Sequence, residues 1–233
     1  MRFEHPTQRA VLLRRYKRFL ADVRLEDGSE LTVHCANPGS MKGLDAPGSP
    51  ALISDSGNPK RKLPHSLELV KAGRSWVVVN TARANQVAAE ALAAGAIPAL
   101  AGRGEARAEV KMGESSRVDF LLEGARGRTW VEVKSVTLAE GRTALFPDAV
   151  TARGLKHLQE LSERVREGDR AAMLFLVGRG DCREFRPAAD IDPAYAAGLA
   201  AARDAGVEVI VHRARVRESG ISVGDSLPAR IDP

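Results

Sequence analysis

At 233 residues, with 44% apolar and 28% charged side chains, the chain can bury a sizeable core as one large or two small domains, and its composition excludes a disordered or fibrous class. It contains no run of about eighteen apolar residues, and its opening MRFEHPTQRAVLLRRYKRF lacks the apolar centre and cleavage site of a signal peptide, so a cytoplasmic protein is expected. Cys35 and Cys182 stand far apart with no Cys or His at metal-ligand spacing, which argues against a disulfide framework and against zinc; both read as reduced and structural.

The net charge of +5 is unevenly placed: residues 1–80 hold 13 Lys and Arg against 8 Asp and Glu, and residues 81–233 hold 22 against 22. A basic first module beside a neutral second one suits a polyanion grip joined to a domain with other work, although a modest excess also serves solubility. Only 4% of residues are aromatic, so stacking is not expected to be the main binding device.

After a short lead, RYKRFLADVRL reads as a strand, EDGSE as a turn at Asp27 and Gly28, and ELTVHC as the hairpin partner. On a strand Tyr16 and Phe19 fall on opposite faces, so at least one is expected in the core, although either could stack on a base. ANPGSMKGLDAPGS is loop, SPALISDS a strand, NPKRKLP a basic connection, and HSLELVKAGRSWVVVN a hairpin turning near Gly73. Five short strands in eighty residues predict a small OB-fold-like β-barrel over 1–80. Its phosphate-contacting candidates are Arg14, Arg15, Lys17 and Arg18 on the first strand and Lys60, Arg61 and Lys62 in a loop; a solvated face is the bland alternative.

From residue 81 the character changes. TARANQVAAEALAAGAI has helical spacing, a start signal at Asn80 and Thr81, and stops at Gly95 and Pro98. Strands follow near EVKMG, SRVDFLL and TWVEVKSVTL, then a helix over DAVTARGLKHLQELSERVREG, the strand AAMLFLV, a helix over IDPAYAAGLAAARDAG and the strand VEVIVHRARV. A hairpin feeding strand, helix, strand, helix and strand predicts a mixed sheet flanked by helices over 81–233, with a loosely ordered tail SLPARIDP.

In WVEVKSV, alternation puts Glu132 and Lys134 on one face and Val131 and Val133 on the other. If SRVDFLL is the antiparallel neighbour, Asp119 converges on Glu132. Two carboxylates suffice to hold Mg²⁺ or Mn²⁺, which keep several waters, while a lysine beside an attacking water stabilises developing charge. Metal-dependent DNA-cleaving domains use this arrangement. A cross-strand ion pair is the bland alternative, and Glu109-Val110-Lys111 is a decoy of the same pattern without an upstream Asp; Glu109 could still be a third metal oxygen. Arg153, Lys156 and His157 lie early on the following helix at spacings that could meet a phosphate. His34 and His65 read as structural.

The segments QRAVLLRRYKRFLADV, HCANPGSMKG, KRKLPHSLEL, VNTARAN, EVKMGESSRVDF, VEVKSVTL and FPDAVTARGLKHLQEL together resemble the sugar fermentation stimulation protein A family over nearly the whole chain. The resemblance implies an OB-like N-terminal domain, a C-terminal domain similar to the restriction-endonuclease-like PD-(D/E)xK nucleases, DNA binding without strong sequence preference, and a link to expression of sugar-utilisation genes. It carries the nuclease-like positions onto Asp119, Glu132 and Lys134, with Glu109 as the preceding acid. In HCANPGSM, Ala36 and Pro38 stand where the usual family form has Pro and Thr. Two functions follow as expectations: a DNA-binding nuclease using Mg²⁺ or Mn²⁺, or a regulatory DNA-binding protein whose nuclease fold is idle. DNA is the expected partner, with RNA as an alternative and no membrane.

Overall fold

A computed structural model describes residues 1–113 and 116–231; Glu114 and Ser115 of the EVKMGESSRVDF segment, and Asp232 and Pro233 of the tail, lie outside them. Six strands come first: β1 Thr7–Tyr16, β2 Leu20–Leu25, β3 Glu30–His34, β4 Pro50–Asp55, β5 His65–Ala72 and β6 Ser75–Val78. Their order is β3-β2-β1-β4-β5-β6, and the parallel bridge His34–Ser66 joins β3 to β5, closing β1 to β5 into the five-stranded barrel of an OB-fold. Leu12, Ala21, Val23, Val33, Ile53, Leu67 and Val70 fill its interior.

The single strand expected over RYKRFLADVRL is instead the end of β1, a turn at residues 17–19, and β2. Lys17 and Arg18 take left-handed φ values of 47° and 63°, a turn that no Gly, Asn or Pro advertises. The preceding lead is itself strand, paired with β4 from Thr7 to Val11. Tyr16 and Phe19 therefore do not share a strand, and neither enters the barrel core.

The second part begins with α1 Ala82–Ala93, followed by β7 Glu105–Met112, β8 Ser116–Gly124 and β9 Gly127–Val136, the small strands β10 Leu138–Glu140 and β11 Thr143–Phe146, and α2 Ala152–Arg166. β12 Arg170–Val177, β13 Glu184–Pro187, α3 Pro193–Asp204, β14 Glu208–Arg217 and β15 Gly220–Ser226 complete it. The main sheet runs β15-β14-β12-β9-β8-β7, with β9, β12 and β14 parallel and the outer pairings antiparallel. β12 is central and covered on both faces, which explains its uninterrupted apolar run AAMLFLV. Thr151 caps α2 by accepting from the Gly154 N–H (3.0 Å), and Asp192 caps α3 by accepting from the Tyr195 N–H (2.9 Å).

The sequence reading missed β13 and β15 and did not separate β10 and β11 from loop. They are short, or rich in Gly, Ser and Asp, and β11 and β13 pair across some forty residues of sequence. The described part of the tail is not loose: Ala229 bridges to Phe185, the Arg230 N–H donates to the Phe185 carbonyl (2.8 Å), and Ile231 is buried in the core.

An apolar layer and a buried ion pair are among the contacts that join the barrel to the second part of the chain. A shared apolar layer includes Leu52, Leu69 and Val78 of the barrel, Ala84, Val87 and Ala88 of α1, and Val131, Val133 and Leu174 of the sheet. Glu68 of β5, fully buried, accepts from Arg83 of α1 through Nε (2.8 Å) and Nη2 (2.6 Å), and also from Ser54 (2.7 Å) and Asn80 (3.1 Å). The second contact orients α1, and with it the site below.

Both cysteines are buried and unpaired, and burial pushes the Cys35 thiol up and the Cys182 thiol up to about 11. Thiolates are the reactive form. The native protein should therefore resist a thiol reagent at neutral pH and yield both thiols once unfolded in guanidinium, as read by absorbance; prompt labelling of the folded protein would contradict this.

Candidate active site between the barrel and the sheet

The β8–β9 ladder pairs Phe120 with Val131 and stops there, so continuing the register faces Asp119 with Glu132. Instead of a ladder bond, the Asp119 carboxylate itself accepts the Val133 N–H at Oδ2 (2.7 Å), and its Oδ1 accepts from Asn85 of α1 (2.7 Å). Beyond Phe120, the side chain of Asp119 thus takes over the backbone's role. Glu132 and Lys134 share a face by alternation, with Lys134 Nζ 2.6 Å from Glu132 Oε1. His157 of α2 meets the same oxygen through Nδ1, and its Nε2 accepts from Arg153 Nε at 3.4 Å.

Glu132 is only 3% exposed, yet among the described residues its Oε2 has no hydrogen-bond partner. Burial alone would raise its pKa, but the His157 hydrogen bond and the Lys134 charge outweigh burial and hold it below the usual carboxylate range. Asp119 moves the other way, raised by burial and then by the nearby Glu132 charge. Two neighbouring carboxylates therefore titrate apart.

These groups line a cavity of about 540 Å³ built by both parts of the chain. Arg18, Asn37, Pro38 and Gly39 come from the barrel, Asn85 from α1, Asp119 and Glu132 to Ser135 from the sheet, and the loop 146–151 with Arg153 and His157 from the start of α2. Asp148 of that loop accepts from the Met41 N–H (3.3 Å) and from Ser40 Oγ (3.4 Å), linking it to the barrel loop. Asn37 braces the barrel side, donating to the Val79 carbonyl (3.0 Å) and accepting from the Gly39 N–H (2.9 Å).

Asp119, Glu132, Lys134, Arg153, His157 and Arg18 thus meet in one cavity. His157, read from sequence as a phosphate-facing residue, is buried against Glu132, because α2 packs this side onto the sheet. Glu109 is not brought in: it is exposed, sits at φ 55° in a break of the β7–β8 ladder, and does not line the cavity. Among the described residues no three His, Cys, Asp or Glu side chains stand close enough to form a metal cage.

Arg15, read as a phosphate contact, instead holds the cavity loop, donating to the carbonyls of Asn37 (2.9 Å), Gly39 (2.8 Å) and Ser40 (3.2 Å). Arg14 pairs with Asp22 (2.7 Å) on the barrel surface, Arg61 donates to Ser66 (3.2 Å), and Lys60 and Lys62 are exposed away from the cavity. Lys156 lies on the exposed side of α2, 3.7 Å from Glu160. Sequence reasoning missed Asn85 and Asp148; each acts on a residue more than thirty positions away, and no local pattern marks that.

A closed OB barrel leading into a mixed sheet with a carboxylate-lined cavity defines a two-domain architecture, and comparison with known proteins agrees. A family model described as "SfsA N-terminal OB domain" matches residues 13–79, and one described as "Sugar fermentation stimulation protein RE domain" matches residues 82–220. The chain belongs to the sugar fermentation stimulation protein family. It is 56% identical to a sugar fermentation stimulation protein homolog of Rhodospirillum centenum over 97% of this chain and 98% of the relative. A homolog of Geobacter sulfurreducens is 52% identical over 96% of each. The solved structure of Pyrococcus furiosus SfsA in complex with Ca²⁺ superposes with a TM-score of 0.90 at 27% identity, covering 99% of this chain and 98% of that one. Among the described residues no helix is long and apolar enough to cross a membrane.

Proposed function

We propose that this protein binds DNA without strong sequence preference and cleaves its phosphodiester bonds with a divalent metal ion. The observation that carries the reading is the Oε2 of Glu132, buried at the cavity wall without a partner among the described residues, with the Glu132 charge close enough to the Asp119 carboxylate to raise its pKa. A buried carboxylate oxygen without a donor is costly unless something else completes it. A hard cation is the fitting partner, and two carboxylates are enough for Mg²⁺ or Mn²⁺, which fill their remaining positions with water and substrate phosphate. That the Pyrococcus furiosus relative is described in complex with Ca²⁺, another oxygen-seeking divalent ion, supports the same choice.

When bound, such an ion would polarise the phosphoryl group and lower the pKa of a coordinated water. The chain's own residues set the rest. Asn85 and the Val133 N–H fix one rotamer of Asp119, and His157 and Lys134 hold Oε1 of Glu132 so that Oε2 faces the ligand. Lys134, lining the cavity, stabilises negative charge developing on the phosphate. Arg153 and Arg18, which line the same cavity, would contact phosphates of the bound strand.

The test is to incubate purified protein with single-stranded, duplex and branched DNA and with RNA, in Mg²⁺, Mn²⁺ or chelator, beside Asp119→Ala and Lys134→Ala. Cutting that needs metal and is lost in both variants is expected; undiminished cutting in the variants would indict a contaminant. Intact binding with no cutting by the parent protein would favour the regulatory, idle-site reading. Binding itself should weaken with salt. Lys60→Ala with Lys62→Ala is expected to flatten the log–log salt slope by up to about 0.9 per lost duplex phosphate contact, measured by titration across ionic strengths. An unchanged slope would remove this loop from the interface.

A further inference from the structure

Phe19 occupies the tip of the β1–β2 turn and is 45% exposed, one of three large apolar side chains left exposed among the described residues. Its ring lies nearly parallel to that of His34, at 20° with centroids 6.4 Å apart, and the Arg18 guanidinium stands 5.8 Å from its centroid. Arg61 is near enough that its charge adds to burial in lowering the His34 pKa. The other aromatic of the segment is not available in this way: Arg14 covers the Tyr16 ring at 4.7 Å and the Tyr16 hydroxyl donates to Asp22.

The turn is held in place. Lys17 and Arg18 sit at left-handed φ, which costs non-glycine residues energy and persists only where surroundings impose it. Arg18 donates to the Pro38 carbonyl (3.0 Å), and the Phe19 carbonyl accepts from the Cys35 N–H (2.9 Å). Arg18 also lines the catalytic cavity, so the exposed ring and the carboxylates belong to one continuous surface.

We propose that Phe19, backed by His34 and flanked by Arg18, is a stacking platform for the unpaired bases of a single-stranded nucleic acid whose backbone passes Arg18 into the cavity. The proposal rests on the nucleic-acid reading above and narrows its substrate class. A protein-docking face would need a contiguous apolar patch, whereas here one ring has the Arg18 guanidinium beside it and Arg61 near the His34 that backs it. In a duplex the bases already stack on one another; an unpaired base offers its π-face to any aromatic ring, with arginine adding a cation–π contact.

The experiment measures fluorescence anisotropy of the full chain, in chelator, with three labelled probes of equal length, about a dozen nucleotides: a thymidine strand, an abasic strand of the same charge, and a blunt duplex. Phe19→Ala is expected to weaken the thymidine strand by about 5- to 150-fold, the span of one lost stacked base, and to leave the other two within about twofold. Phe19→Leu, which keeps apolar bulk without a π-face, should behave like Phe19→Ala, and Phe19→Tyr should bind like the parent; thermal melts of each variant check folding. Equal losses on all three probes, or no loss on the thymidine strand, would overturn the platform while leaving duplex binding by the parent, and so the broader reading, intact. Failure of the parent to bind any probe would overturn both.

Discussion

Glu132→Gln is expected to lower metal-dependent cleavage by about a thousandfold, the order that loss of one preorganised charge-stabilising group costs, while nucleic-acid binding stays within about twofold. Gln keeps the volume and can still accept from Lys134 and His157 through its carbonyl, so the wall of the cavity is preserved. What it removes is the negative charge on an oxygen that has no partner among the described residues. The measurement is initial cleavage rate at saturating Mn²⁺ beside a binding isotherm in chelator. A rate within tenfold of the parent would sink the assignment of Glu132 as a metal ligand. A parallel Asn85→Ala variant should reduce the rate more modestly, because Asp119 keeps its Val133 N–H bond while losing the donor that fixes Oδ1.

The largest expected change in stability comes from Arg83→Met. Glu68 is fully buried and Arg83 is 17% exposed, and the guanidinium meets both carboxylate oxygens. Removing one partner of a buried pair leaves the other charge uncompensated and costs about 3–5 kcal/mol, whereas replacing both by apolar groups of similar volume is often close to neutral. Arg83→Met should therefore lower the melting temperature by roughly 2–4 °C per kcal/mol lost, and the double variant with Glu68→Leu should recover part of the loss. Ser54 and Asn80, which also donate to Glu68, limit that recovery. A double variant less stable than the sum of the singles would contradict this account. Because α1 carries both Arg83 and Asn85, Arg83→Met should also disturb Asp119, linking barrel stability to the site.

The carboxylate hairpin was legible for a local reason. Alternation along WVEVKSV assigns Glu132 and Lys134 to one face without any knowledge of the fold, and a short connection makes SRVDFLL its neighbour. The apolar run AAMLFLV is an equally local signal. The turn at Lys17 and Arg18 escaped because its residues carry no conformational signature, and the short strands β11 and β13 because their pairing spans some forty residues.

The Asp119, Glu132 and Lys134 pattern, the basic first eighty residues and the order of most strands and helices were determined by the sequence alone, since each depends on side-chain periodicity or on charge, which neighbours along the chain establish. Only the tertiary structure decided that the triad sits in a cavity walled by the barrel as well as the sheet. It also made Arg15 a brace for residues 37–40, buried His157 behind Glu132, and left Phe19 in solvent beside Arg18. These outcomes depend on which surfaces meet when two packed units share an apolar layer, and periodicity within a segment is blind to what lies across from it.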